Sequence, residues 1–362
     1  MICLIGNSGL SKNNIDGQTM KVRLYLKKMK DEGLNVCFID LENFTKHPLS
    51  VLIKIKKNIA KCDRIVLVTA QRGAKVLIPY INRINKKYKK PFILPLIGIG
   101  ILHYSVDKLN ESERVSFFVD KKYSLSRPSK KVKKQLSKIT HILPETELLT
   151  EIYKGFYSLS NVSTLNNFRD VISFNSNTKM HNDALRLVYL SRVIRIKGIF
   201  DIMEAVSELN KRDVQLVIYG ATHFDKNDLQ LFKKYCQNGN INYLGLINNE
   251  KVISILSNYD LFVFPTRYLG EGTPGVISES LIAGTPILSS NFPQAKYLMN
   301  DGFDSLFFNL GDKEDLKEKI KYLIDNPSIL EKMRSNCKKS SERYLYSHER
   351  DKFLSIVCGI DK

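Results

Sequence analysis

Short apolar runs alternate with lysine-decorated amphipathic stretches from one end of this chain to the other. That alternation leaves few folds open. A parallel strand covered on both faces reads as a continuous apolar run, while the crossover helix that follows it is apolar on one side only. The expectation is an α/β fold with doubly wound parallel sheets. Strands are predicted over residues 2–5, 36–39, 64–68, 92–96 and 139–143, then over 185–190, 214–219, 241–243, 261–264 and 286–288. Helices fill the gaps. The clearest runs from about residue 19 to 32, after Asp16-Gly17-Gln18 and before Gly33, a residue suited to the left-handed position past a helix end. Helical pattern also covers 313–324, 328–346 and 347–357.

At 362 residues the chain exceeds one ordinary domain. The polar stretch 173–183, S-F-N-S-N-T-K-M-H-N-D, reads as a linker. Two Rossmann-like domains are therefore expected, 1–175 and 176–345. Two such domains leave a cleft between the carboxyl ends of their strands. Ligands bind beyond those ends, near the switch in strand order, so the strand-to-helix junctions carry the functional information.

Charge is unevenly shared. Residues 1–170 carry 31 Lys and Arg against 14 Asp and Glu, whereas the remainder carries 25 against 23. The basic clusters are Lys54-Ile-Lys56-Lys57, 83–90 and 121–138. They are either solvated helix faces or a surface that meets an anionic partner such as a membrane. None interleaves aromatics in the manner of an RNA-binding module, so nucleic acid is not the expected partner. The six cysteines include no C-x-x-C pair, which suits a reducing compartment, the cytoplasm. The opening M-I-C-L-I-G-N-S-G reads as a first buried strand and not as a signal peptide. No apolar run approaches the roughly 20 residues of a spanning helix.

The richest junction is L-F-V-F-P-T-R-Y-L-G-E-G-T-P-G-V-I-S-E-S-L-I-A-G-T-P-I-L-S-S, residues 261–290. An apolar strand ends at Pro265, a glycine-punctuated loop follows, and a helix is expected to start near Pro274. Glu271 falls in the loop and Glu279 in the first turns of the helix. The amides and dipole of a helix start favour an anion such as phosphate, and a carboxylate nearby can accept hydrogen bonds from vicinal sugar hydroxyls. A second junction, L-S-R-V-I-R-I-K-G at 190–198, places Arg192 at a strand end and Lys197 before the next helix. A guanidinium fork and an ammonium point charge can converge on one diphosphate.

E-G-T-P-G-V-I-S-E, followed by S-L-I-A-G-T-P-I-L-S-S, resembles the E-x7-E motif of retaining GT-B glycosyltransferases of family 4, group 1. L-S-R-V-I-R-I-K-G resembles that family's G-R-x-x-x-K-G segment, with Ser191 in place of the first glycine. The resemblance implies a GT-B fold of two Rossmann-like domains facing a cleft, the N-terminal one binding acceptor and the C-terminal one binding a nucleotide-sugar donor. It implies that Arg192 and Lys197 hold the donor diphosphate, Glu279 the ribose hydroxyls and Glu271 a hydroxyl of the donor sugar, with Gly272, Thr273, Gly275 and Val276 also contacting the donor. Pro274 stands where many members have glycine. It has no N–H to donate, so backbone contacts there fall to Gly275 or Val276.

The N-terminal half matches only in outline. Gly6-Asn-Ser-Gly9 with Asp16-Gly17-Gln18-Thr19 resembles the family's first glycine-rich loop, which makes Gly17 a donor contact. His103, after I-G-I-G-I-L, lies near the family's active-site histidine, although a loop or core histidine is the plain alternative. Asn167 resembles the asparagine before the linker and reads as structural. Tyr346-Ser-His-Glu-Arg resembles the segment from which the last helix, about 346–362, crosses back to the N-terminal domain.

The resemblance implies transfer of a hexose-type sugar from a UDP- or GDP-sugar, with retention, to a glycan or a polyprenyl-diphosphate-linked saccharide in bacterial surface-polysaccharide synthesis. No D-x-D motif is present, and neither a metal nor another cofactor is expected. The location expected is cytoplasmic, peripheral at the inner face of the plasma membrane. Three alternatives remain. A dinucleotide oxidoreductase would need G-x-G-x-x-G after the first strand and an acid such as Asp40 after the second, but Gly6 to Gly17 does not fit that fingerprint. A GT-B epimerase or phosphorylase would share the fold. A non-enzymatic basic protein binding membrane or nucleic acid would not need the paired glutamates.

Overall fold

The structure, a computed structural model, describes residues 1–10, 16–171 and 184–360. The linker expected at 173–183 lies outside the described residues. By internal contacts the chain divides into two units. The first comprises Met1–Asp170, Gly270–Thr273 and Tyr346–Lys362, and the second Val171–Leu269 and Pro274–Leu345.

The first unit is built on β1 (Ile2–Gly6), β2 (Val36–Asp40), β3 (Arg64–Val68), β4 (Phe92–Pro95) and β5 (His141–Leu143), all parallel, in the order β2-β1-β3-β4-β5. β5 is shorter than its apolar run because Thr140 lies before it and gives its hydroxyl oxygen to the Phe92 N–H, 2.9 Å away. The first helix is Gly17–Asp31. Asp16 caps it, accepting from the Thr19 N–H while the Thr19 hydroxyl accepts from the Asp16 N–H. Gly33, at φ +70°, closes it as expected.

The second unit has six parallel strands: β6 (Leu185–Leu190), β7 (Val214–Tyr219), β8 (Ile241–Gly245), β9 (Leu261–Phe264), β10 (Ile287–Ser290) and β11 (Ser305–Phe308), in the order β11-β10-β9-β6-β7-β8. β11 was not foreseen. Its four residues S-L-F-F form a ladder only with β10, beside a single bridge from Ser305 to Asp301, and carry neither the length nor the apolar continuity of an inner strand. The helical stretch read over 328–346 is Pro327–Ser341 followed by a 3₁₀ turn, Glu342–Tyr344.

The C-terminal segment packs within the first unit. It runs as an α-helix, Tyr346–Lys352, and then as a π-helix, Phe353–Cys358. Phe353 fits edge-on against Tyr25 (5.0 Å) and Phe168 (5.5 Å). Arg350 grips Glu32 through Nε (2.7 Å) and Nη2 (2.5 Å), and Tyr346 donates to the same carboxylate (3.0 Å). These bonds, the Arg350 guanidinium first, hold the Glu32 carboxyl below its usual range. A carboxylate depressed in the folded state contributes stability above its ordinary pKa and loses it as pH falls through the depressed value. Stability measured by urea titration is therefore expected to fall less steeply with acid in Glu32→Gln than in the parent between about pH 5 and 3. Identical slopes would show that the clasp contributes nothing.

Candidate functional site

In the second unit the chain runs β6-β7-β8 to one side and then returns to lay β9 along the other side of β6. The switch point is therefore between β6 and β9, and the loops leaving their carboxyl ends, 191–198 and 265–269, meet there. The Arg267 N–H donates to the Ile196 carbonyl (3.0 Å). Gly198, at φ +73°, is pressed onto the other loop so closely that a Cβ would come within 1.8 Å of the Pro265 carbonyl oxygen. Arg267 then locks the pair with a two-pronged ion pair to Asp201, 2.6 and 2.7 Å. Asp201 sits in the first turn of the helix Ile199–Ser207, where the dipole favours an acid.

This lock fixes Lys197. Its side chain is 7% exposed, and its ammonium lies 5.3 Å from the centre of the Tyr268 ring, a cation–π distance. Arg192 is exposed, but its backbone is held: the Tyr189 hydroxyl (2.8 Å) and the Ile194 N–H (3.1 Å) both donate to its carbonyl. Arg195, which matches no motif position, pairs with Asp228 and stacks over Phe200 at 4.8 Å. Sequence reasoning missed Arg267, Asp201 and Tyr268. Arg267 and Tyr268 stood inside the motif-bearing segment, but nothing marks Asp201 as the partner 66 positions away.

The helix after the loop spans Gly275–Ala283 and begins one residue past Pro274. Its first amides, those of Gly275 and Val276, are positions that an α-helix cannot satisfy internally. The Ile277 N–H returns to the Pro274 carbonyl (3.1 Å). Glu279 is half-buried on this helix. Gly284, at φ +74°, ends it, and the Ser280 hydroxyl donates to the Thr285 carbonyl (2.7 Å) to brace the turn into β10.

Gly270–Thr273 belongs to the first unit. Gly272 lies against Gly98, and a Cβ on it would meet the Gly98 Cα at 2.2 Å. The close approach of the two backbones accounts for glycine at 272, while Gly98 is suited by its left-handed backbone, φ +56°. The Asn167 amide donates to the Thr273 carbonyl (3.2 Å), which makes Asn167 a structural tie for the loop. Glu271 and Thr273 are 6% and 8% exposed. The Thr273 hydroxyl is buried with no hydrogen-bond partner among the described residues, a cost that a ligand contact would relieve.

At the carboxyl end of β1, Gly6 is forced by Val22, which a Cβ would meet at 2.6 Å. Asp40 accepts from the Ser8 N–H (3.2 Å), the Ser8 hydroxyl and the Glu42 N–H (2.9 Å). Its carboxylate is engaged by the loop after β1 and by its own turn, unlike the ribose-binding acid of a dinucleotide fold. Gly17 opens its helix with no atom among the described residues near a would-be Cβ. Neither packing nor backbone requires glycine there. His103 begins a short helix beyond β4, with Nδ1 3.0 Å from Asp107 Oδ1. That carboxylate favours a proton on Nδ1 and leaves Nε2 as the acceptor.

Residues 173–343 match the family of glycosyl transferases group 1. Arg192, Lys197, Glu271 and Glu279 all fall inside the match. The capsular polysaccharide biosynthesis glycosyltransferase CapM of Staphylococcus aureus is 25% identical over 167 residues, 45% of this chain and 43% of that protein. The N,N'-diacetylbacillosaminyl-diphospho-undecaprenol alpha-1,3-N-acetylgalactosaminyltransferase of Campylobacter jejuni is 26% identical over 176 residues, 49% of this chain and 45% of that protein. The chain thus spans under half the length of these relatives. Among solved structures, Anabaena HepE in complex with UDP superposes with a TM-score of 0.73 at 12% identity, covering 99% of this chain and 100% of that one. At that identity the likeness concerns the fold: two parallel-sheet α/β domains whose structural neighbours are GT-B glycosyltransferases.

Proposed function

We propose that this chain is a retaining glycosyltransferase. It moves a hexose-type sugar from a UDP- or GDP-sugar to a hydroxyl of a glycan or lipid-linked saccharide in the synthesis of a bacterial surface polysaccharide. The observation that carries the reading is the loop lock at the β6–β9 switch point, which holds the buried Lys197 against Tyr268 inside the stretch that matches group 1.

In this reading Arg192 and Lys197 hold the donor diphosphate. As the bond to the sugar breaks, negative charge gathers on the departing phosphate, and cations fixed beforehand stabilise it without rearranging. The Gly275 and Val276 amides, at the positive end of their helix, act in the same sense. Glu279 accepts from the ribose hydroxyls and Glu271 from a hydroxyl of the sugar. Gly272 and Thr273 line the same donor, and the partnerless Thr273 hydroxyl supports that role. Gly17 lets a ligand approach the backbone. His103, oriented by Asp107, is available at Nε2 to the sugar or acceptor. The reading includes no protein nucleophile: the leaving phosphate takes the acceptor's proton on the face it departs from, which preserves the anomeric configuration. Neutralisation rests on side chains and helix ends, with no metal required.

The acceptor is assigned to the N-terminal unit. The Campylobacter relative, by its name, acts on an undecaprenol-diphosphate-linked saccharide. Together with the basic N-terminal half, this supports a polyprenyl-diphosphate-linked acceptor met at the cytoplasmic membrane face, where each basic residue near anionic lipid adds about 1 kcal/mol. No helix among the described residues is long and apolar enough to cross a membrane.

Ligand-induced thermal stabilisation tests the donor site. One nucleotide series among UDP, GDP and ADP with their sugars is expected to raise the melting temperature, with about 2.7 kcal/mol added at 100 times the dissociation constant. The shift is expected to vanish in Glu279→Ala and to persist in EDTA. No shift with any nucleotide overturns the proposal, and a shift that EDTA abolishes overturns its metal independence.

A further inference from the structure

Two of the most cationic stretches of the sequence, 83–90 and 121–138, contribute nothing to the candidate site. The structure brings them together at the opposite end of the N-terminal sheet. Lys89 and Lys90 lead into β4, while Lys138 and Thr140 lead into its neighbour β5. The end of the helix Gln71–Tyr88 and the helix Lys130–Leu136 enclose a recess of about 620 Å³ there, lined by Arg83, Lys86, Lys89, Lys90 and Lys138. Its base is a fixed polar frame. Asn82, 7% exposed, donates to the backbone (2.9 Å) and side-chain (2.8 Å) oxygens of Gln135. Asn85 clasps Lys90, accepting from its N–H (2.9 Å) and donating to its carbonyl (2.7 Å).

Three observations set this recess apart from a solvated lysine face. Residues 64–106 and 121–144 contain no Asp or Glu, and among the described residues no carboxylate pairs with any of the five cations. Asp63, just before β3, is bonded to the Met1 amino group (2.5 Å) and is reached by the charge of Lys90 without forming an ion pair with it. Secondly, Lys89 holds the left-handed conformation, φ 52°, at a helix end where glycine would be relaxed. A side chain is kept at a position that disfavours one. Thirdly, each helix carboxyl end supplies only about half a negative charge. That accounts for a lysine or two near each end and leaves the five-cation recess strongly positive.

We infer that this recess binds a multiply charged phosphate group, either of a free polyphosphate or of a lipid headgroup. Lysine point charges and an arginine fork are the groups that recognise phosphate oxygens, and the volume is that of a small-ligand site. No aromatic ring lines it for base stacking. The site lies away from the carboxyl-end loops, so the inference stands apart from the glycosyltransferase reading.

The test is titration calorimetry of the full chain with inorganic tripolyphosphate at low salt. The parent is expected to bind. Lys86→Ala combined with Lys138→Ala is expected to weaken binding about 100-fold, roughly tenfold per charge-assisted contact removed. Lys89→Gly is expected to weaken it as well without lowering the melting temperature, which separates lost binding from lost fold. Arg192→Ala is expected to bind as the parent does. Flotation with phosphatidic acid vesicles distinguishes the sources. Binding that tripolyphosphate displaces and the double variant lacks assigns the recess to a lipid headgroup, and vesicle indifference with tripolyphosphate bound assigns it to a soluble anion. Failure of the parent to bind tripolyphosphate, or equal binding by parent and double variant, overturns the inference.

Discussion

Lys197→Met is expected to lower sugar transfer from the matching donor by about 100- to 1,000-fold, the usual loss when one fixed group that stabilises developing charge is removed. The melting temperature should stay close to that of the parent. Lys197 is 7% exposed, so its alkyl stem packs while its ammonium faces Tyr268. Methionine keeps most of the stem and removes the ammonium with its charge and hydrogen-bond donors, whereas Lys197→Ala would mix the chemical loss with a packing defect. Steady-state turnover with either variant, beside a thermal melt, separates the two. Undiminished turnover in Lys197→Met would remove Lys197 from the mechanism.

Gly198→Ala is expected to be among the most destabilising single changes in the C-terminal unit, on the order of 3 kcal/mol or more. An alanine there would adopt φ +73° and press its Cβ to 1.8 Å from the Pro265 carbonyl oxygen. The backbone penalty alone is about 1–2 kcal/mol. The remainder comes from driving the β6 and β9 loops apart, which also strains the Arg267 to Asp201 pair. For a unit of this size the expected drop in melting temperature is about 6–12 °C. Glu279→Ala, by contrast, should remove nucleotide binding with little loss of stability, because Glu279 is only half-buried. A Gly198→Ala protein that melts with the parent would mean that the two loops are not locked as described.

The alternation of apolar runs and amphipathic stretches determined the strands, because burying a parallel sheet on both faces demands continuous apolar residues. β3, β6, β7 and β9 fall on the predicted residues, and most of the others differ only at their ends. β11 escaped because an edge strand of four residues needs no such run. The capped start at Asp16 and the closing Gly33 were equally local, since caps are decided by residues adjacent in the chain. Glu271, Glu279, Arg192 and Lys197 could be put forward from the sequence because the motifs that carry them are contiguous.

The contacts that surround those residues are not contiguous. Asp201 reaching Arg267, Tyr268 beside Lys197, Gly272 flattened on Gly98 and Asn167 tied to Thr273 are meetings between segments far apart in sequence. The same holds for the phosphate recess, whose two lysine-rich stretches read separately as ordinary surface. The sequence by itself determined most of the segments that become strands and helices, because periodicity and capping act over a few residues. Only the tertiary structure decided which junctions meet, because strand order sets which loops share a sheet end, and no local pattern records that order.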